Sequence, residues 1–231
     1  MRRILSSLAG LALLTASLVG AGASARADIS LKLDTHINGA TPQGYLLANF
    51  ATVSTGEVTL TLDATNLVAG EYVAGMGFNI DPIFAAGFPG SLTIARTGGT
   101  APSTAITSTT LASNGFDIGS QVKGGFFDFG FNFASAEAKR FAFGDTVILK
   151  LTGTNLVAES FAFKSVADGS GNPGGWYAAG DVRGIPVSGA NSGSIGTKNL
   201  GTVPEPTSLA MIAMGIPGLI AFARRRKAAS V

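Results

Sequence analysis

The stretch FDFGFNF, residues 127–133, places a phenylalanine at every second position for seven residues. No other feature constrains the fold of this chain as strongly. Successive side chains of a β-strand point to opposite faces. Phe127, Phe129, Phe131 and Phe133 therefore predict one face turned to a core, with Asp128, Gly130 and Asn132 on the other. The same period recurs elsewhere. Ile29, Leu31 and Leu33 alternate with Ser30, Lys32 and Asp34; Val58, Leu60 and Leu62 alternate with Thr59, Thr61 and Asp63; Val147, Leu149 and Leu151 alternate with Ile148, Lys150 and Thr152. Breaks rich in Gly, Asn, Pro and Ser separate these runs, among them Gly98-Gly99 and residues 169–175. No long segment has helical spacing, although 135–140 admits a turn or two of helix with Ser135 as cap. Many short strands with turn signals between them predict an all-β, antiparallel β-sandwich.

Two of the runs resemble each other. VTLTLDATNLVA (58–69) and VILKLTGTNLVA (147–158) agree at eight of twelve positions with an offset of 89, which also pairs Tyr72 with Phe161. Two readings stand: a duplication whose halves lead related sheets, or independent strands that leave the sandwich through similar Thr-Asn turns.

At 231 residues the chain fits one domain, or two small ones, and can bury a substantial core. Its formal net charge of +2 misleads, because the cations gather at the ends. Between residues 28 and 202 there are nine Lys or Arg and thirteen Asp or Glu, a net charge of −4. Scattered cations on an acidic domain argue against a nucleic-acid partner, which needs a clustered basic surface. Cysteine is absent, so neither disulfides nor thiolate chemistry is available.

The two ends read as targeting segments. Arg2 and Arg3 precede an apolar or small-residue run from Ile4 to Ala23, and Ala25-Arg26-Ala27 offers small residues around a cleavage point, so residues 1–27 are expected to be a signal peptide. The folded middle is expected over 28–187. A Gly- and Ser-rich segment, 188–202, reads as a flexible tether, with Ser194-Ile195 as a candidate final strand. Residues 203–231 then hold Val203, Pro204, Glu205 and Pro206, an uncharged run from Leu209 to Ala223, and the cations Arg224, Arg225, Arg226 and Lys227. Fifteen helical residues would span about 22 Å, against roughly 30 Å of bilayer hydrocarbon. Pro217, Gly215 and Gly218 weaken that helix further. The cations would hold its end on the cytoplasmic side. A brief stop in the inner membrane fits this better than a permanent anchor, with the proline-flanked Glu205 extended just outside.

This order of parts resembles the PEP-CTERM sorting signal: Val203-Pro204-Glu205-Pro206, a short apolar segment with glycines, and an Arg-rich terminus. Pro217 departs from the usual Leu- and Gly-rich run. The resemblance implies recognition by an exosortase, a membrane-embedded transpeptidase-like enzyme, in a Gram-negative bacterium that makes exopolysaccharide. It implies cleavage near Pro204 to Pro206, loss of the tail and delivery to the cell surface or matrix. The middle is similar to β-sandwich ectodomains of such proteins in GFNIDP (77–82), GFFDFGFNF (125–133) and FAFGDTVILKLTG (141–153). Such relatives often carry a histidine near the stretch corresponding to GGWYAAGDVRGI (174–185), where this sequence has Asp181, so no role of that histidine transfers.

The middle offers little for catalysis. His36 is the sole histidine and reads as a surface residue, which leaves no multi-histidine metal site and no Ser-His-Asp set away from it. Neither a nucleophile elbow nor a phosphate loop occurs. Paired carboxylates for glycoside hydrolysis stay open, since nothing in the spacing selects a pair. In DGSGNPGG (168–175), Asp168, Ser170 and Asn172 have the alternate spacing of calcium ligands, but Pro173 stands where an EF-hand needs glycine. A plain Asx turn is the other reading. Trp176 and Tyr177 follow, either packed at a strand start or exposed to stack on sugar rings. The expectation is an exported, non-enzymatic surface or matrix protein without a cofactor, calcium excepted, and with exopolysaccharide as a candidate partner. The alternatives are a carbohydrate- or calcium-binding adhesion module centred on 168–177 and an envelope hydrolase.

Overall fold

The computed structural model describes residues 28–83, 90–118, 124–167, 173–186 and 191–203. The expected signal peptide with Ala25 and Ala27, the loop residues Asp168, Ser170 and Asn172, and the tail from Pro204 onward lie outside these ranges. Among the described residues, two antiparallel sheets pack face to face. The first runs in spatial order β13 (Gly201–Val203), β1 (Asp28–Leu33), β3 (Leu46–Ser54), β4 (Glu57–Asp63), β10 (Thr146–Thr152) and β6 (Thr93–Gly98). The second runs β2 (Thr35–Gly39), β12 (Ser192–Thr197), β11 (Ala178–Arg183), β5 (Tyr72–Phe78), β8 (Phe127–Phe133) and β7 (Ile106–Phe116). A two-residue strand, β9 (Phe141–Ala142), pairs with Val73 and Tyr72 at the start of β5.

The period-two runs become inner strands of a sandwich, as predicted. Leu31, Leu33, Leu60, Leu62, Val147 and Leu151 are fully buried, while Lys32 and Lys150 between them are exposed. Val58, Leu60 and Leu62 stand opposite Leu151, Leu149 and Val147 across β4 and β10, which makes a ladder of apolar cross-strand pairs. Each such side chain contributes about 1.5–3 kcal/mol by leaving water. Phenylalanines tie the layers together. Phe50 of β3 stacks on Phe161 at 4.2 Å between ring centroids and meets Phe78 of β5 edge-on at 5.6 Å. Phe78 stacks on Phe129 at 5.4 Å. Aromatic pairs of this kind add about 0.5–1.5 kcal/mol each beyond their burial.

Phe127 departs from its stripe. Phe129, Phe131 and Phe133 enter the main core, but Phe127 belongs to a second buried cluster with Phe116, Ile118, Trp176 and Ala179. That cluster covers the outer face of the second sheet. Gly77 lies between Met76 and Phe78, which point inward, so its missing side chain would point outward. A Cβ there would stand 2.8 Å from the Phe127 ring and 2.7 Å from Ile118 Cδ1. Gly130 is covered likewise by Phe116. The swap coincides with a register break, since Phe129 faces Leu111 of β7 whereas Phe127 faces Phe116. Such a bulge re-aims the side chains beside it.

Three expectations are corrected. Residues 191–203 are not a tether: they build β12, an interior strand between β2 and β11, and β13 on the edge of the first sheet. Their small side chains report tight packing, since a Cβ at Gly196 would meet the Trp176 ring and the Ala178 carbonyl, each at 2.8 Å. The two similar segments do not lead separate sheets, because β4 and β10 are antiparallel neighbours in one sheet. Finally, 135–140 yields only a single 3-10 turn, Glu137–Lys139, preceded by Ala136 with no side-chain cap. Ser135 acts through its carbonyl, which accepts Arg140 Nε at 2.7 Å.

Candidate functional site

The sorting residues begin in the last described strand. In β13, Gly201, Thr202 and Val203 pair with Ser30, Ile29 and Asp28 of β1. Pro204 follows with no backbone N–H to continue the ladder, and Pro206 repeats the interruption. Pro204, Glu205, Pro206, the Leu209–Ala223 run and the cations Arg224 to Lys227 lie outside the described residues. Among the described residues no helix is long and apolar enough to cross a membrane. At the other end, cleavage after Ala27 would make Asp28 the first residue. Asp28 opens β1 and its Oδ1 accepts the Thr52 N–H at 3.3 Å.

Of the two readings of Trp176, the structure has the buried one. Its side chain is 6% exposed, within the outer cluster, and Lys198 Nζ lies 4.4 Å above its ring. Its backbone is clamped on both sides. Its N–H donates to Ser165 Oγ at 3.1 Å, while its carbonyl accepts Ser165 N–H at 2.7 Å and Asn79 Nδ2 at 3.1 Å. No open aromatic face remains for a sugar. Tyr177 is partly buried, with Lys164 Nζ 4.9 Å from its ring. His36 is exposed on β2, its Nε2 3.1 Å from the Gly39 carbonyl oxygen.

The acids are largely employed in holding backbone. Glu71, fully buried, accepts the N–H groups of Gln43 and Val68 at 2.9 and 3.0 Å. Asp128 accepts those of Ile80 and Asn114 at 3.0 and 2.8 Å. Asp63 takes Thr65, Asp81 takes Ile83 and Asp145 takes Ala142. Among the described residues no three His, Cys, Asp or Glu side chains gather as a metal site would require.

What the sequence reading missed lies across the outer face of the second sheet. Strand register lines up Asn38, Ser194, Asp181, Gly75, Asn132 and Ser108 in one row. Asn132 Nδ2 donates to Ser108 Oγ at 3.0 Å. Asp181, only 4% exposed, accepts Arg183 Nε on Oδ2 at 3.1 Å, and its buried Oδ1 has no hydrogen-bond partner among the described residues. Burial pushes the Asp181 carboxyl up from its ordinary range, against the pull of the Arg183 guanidinium. Beyond Arg183 the face opens into a cleft of ≈ 360 Å³ lined by Tyr72, Arg140, Arg183, Gly184, Asn191 and Ser192. The Arg140 guanidinium lies 4.0 Å over the Tyr72 ring. Only the polar-outward half of the β11 alternation, Asp181 and Arg183, signalled this place in the sequence.

No curated protein and no solved structure matches the chain. Residues 202–227 match the family model for the PEP-CTERM protein-sorting motif, which begins inside β13 and ends with Lys227. A motif of this kind implies export, membrane passage and processing by exosortase, a membrane enzyme, before arrival at the surface. At its C-terminal end the chain thus carries a PEP-CTERM protein-sorting motif.

Proposed function

We propose that the mature domain, from Asp28 to about Val203, is a non-enzymatic β-sandwich that resides on the cell surface and in the exopolysaccharide matrix of a Gram-negative, biofilm-forming bacterium. The allocation of its carboxylates carries this reading. Asp28, Asp63, Glu71, Asp81, Asp128 and Asp145 each accept a backbone N–H, and Asp34, Glu57 and Asp181 each pair with a cation. Acid–base chemistry needs carboxylates free to exchange protons with a substrate, whereas these fasten turns and strand ends. The tail supplies the route, and the domain works after the tail is gone.

Fractionating producing cells and reading the exported form by mass spectrometry tests the proposal. The expected product begins at Asp28, ends near Pro204 to Pro206 and co-purifies with extracellular polymer. A mature form that retains Arg224 to Lys227, or turnover in a broad screen of glycoside, ester and peptide substrates, would sink it.

A further inference from the structure

We infer that the cleft between Arg140 and Arg183 binds the carboxylate of an acidic saccharide; the inference rests on the proposed matrix role and gives it a site. The two guanidinium groups are held in the same way. Arg183 donates Nε to Asp181, and Arg140 donates Nε to the Ser135 carbonyl while stacking on Tyr72. In both, the terminal Nη atoms have no partner among the described residues, and both side chains line one cleft. A guanidinium edge with two parallel N–H donors matches a carboxylate bidentately. Groups already held through Nε, Arg140 by stacking as well, lose little freedom on binding, so the contact retains more of its gross energy.

Charge and size narrow the ligand. The domain carries a net charge of −4, yet Asp181 beside this cleft is buried and bound to Arg183. An anion is therefore drawn to this place on a surface that otherwise repels it. The volume suits one or two sugar rings. Exposed Asn191 and half-buried Ser192 on its wall offer an amide and a hydroxyl to ring hydroxyls. Two isolated arginines on an acidic domain fall short of what a polyphosphate chain needs.

Calorimetric titration of the purified full-length chain at low salt tests the inference with a hexuronate tetrasaccharide, its neutral hexose counterpart and inorganic phosphate. The hexuronate is expected to bind at least about tenfold more tightly than either of the others. Arg183→Lys keeps the charge and a partner for Asp181 but removes the fork, and should weaken hexuronate binding about tenfold. Lys150→Gln removes one positive charge from the first sheet, away from the cleft, and should leave it unchanged. The inference falls if hexuronate does not bind, if phosphate binds as tightly, or if Lys150→Gln costs as much as Arg183→Lys. Co-sedimentation with exopolysaccharide from the producing cells separates the two levels. Sedimentation that persists without hexuronate binding overturns the cleft and leaves the matrix role standing. Hexuronate binding without sedimentation supports the cleft and overturns the matrix role.

Discussion

Asp28 and Val203 stand opposite one another as antiparallel neighbours on β1 and β13. The first residue after the expected signal-peptide cleavage thus lies beside the last residue before Pro204. Residues 28 and 203 therefore lie together at one edge of the first sheet. On the proposed processing, cleavage at Pro204 to Pro206 would fall one to three residues beyond a described strand, and the two termini would lie on paired strands.

The chain contains no cysteine, so this pairing is open to a clean test. Antiparallel partners have Cα atoms about 4.5–5.5 Å apart, within disulfide range. Asp28→Cys combined with Val203→Cys should cross-link in the exported protein under mild oxidation, giving a faster-migrating band that reductant reverses. Asp28→Cys combined with Thr97→Cys, on a distant strand of the same sheet, should not. Two accessible thiols at 28 and 203 that fail to join would show that β13 does not pair as described.

The fold was legible where large apolar residues alternate, and illegible where small ones do. β1, β4 and β10 announce themselves because Leu, Ile and Val recur at every second position. β12 reads SGSIGT, and Ile195 is its sole large side chain, so an interior strand looks like a tether. Its glycines are there because neighbouring backbone and the Trp176 ring leave no room for a Cβ, a requirement of tertiary packing. The cleft was hidden for a different reason. Arg140 and Arg183 are 43 residues apart, and they meet because Tyr72, on β5 beside β9 and β11, brings their segments together. Strand order of that kind is not written in periodicity.

Trp176 is a packing residue, and its truncation should show it. Trp176→Ala empties the outer cluster around Phe127, Ile118 and Ala179, so it should cost about 3–5 kcal/mol in urea unfolding. An exposed sugar-stacking platform would lose almost nothing. A variant with unchanged midpoint and slope would therefore return the ring to the surface.

Gly130 and Phe116 should be coupled. A Cβ at Gly130 would run into the Phe116 ring, so Gly130→Ala alone should destabilise by about 1–3 kcal/mol. In a Phe116→Ala background the ring clash is gone, and the Met76 carbonyl oxygen, 2.5 Å from the added Cβ, still opposes the methyl. The double-mutant cycle should then give an interaction energy of at least about 0.5 kcal/mol, and strict additivity would deny the contact.

Asp181 gives the pH dependence a sign. Burial raises its carboxyl in the folded protein above the ordinary carboxylate range, so the folded state holds this proton more tightly than the unfolded chain. The contribution from that proton is fully present below the unfolded value and is lost as pH rises through the folded one. Arg183 offsets part of the cost, because it stabilises the ionised form at 3.1 Å. Asp181→Asn removes the titration while keeping the shape. Wild type should therefore lose stability relative to Asp181→Asn on going from pH 3.5 to pH 7. The gap should widen in an Arg183→Gln background, where the ionised carboxylate has lost its cation. Parallel stability curves for the two proteins across that range, measured by urea unfolding, would mean that Asp181 titrates as it does in water.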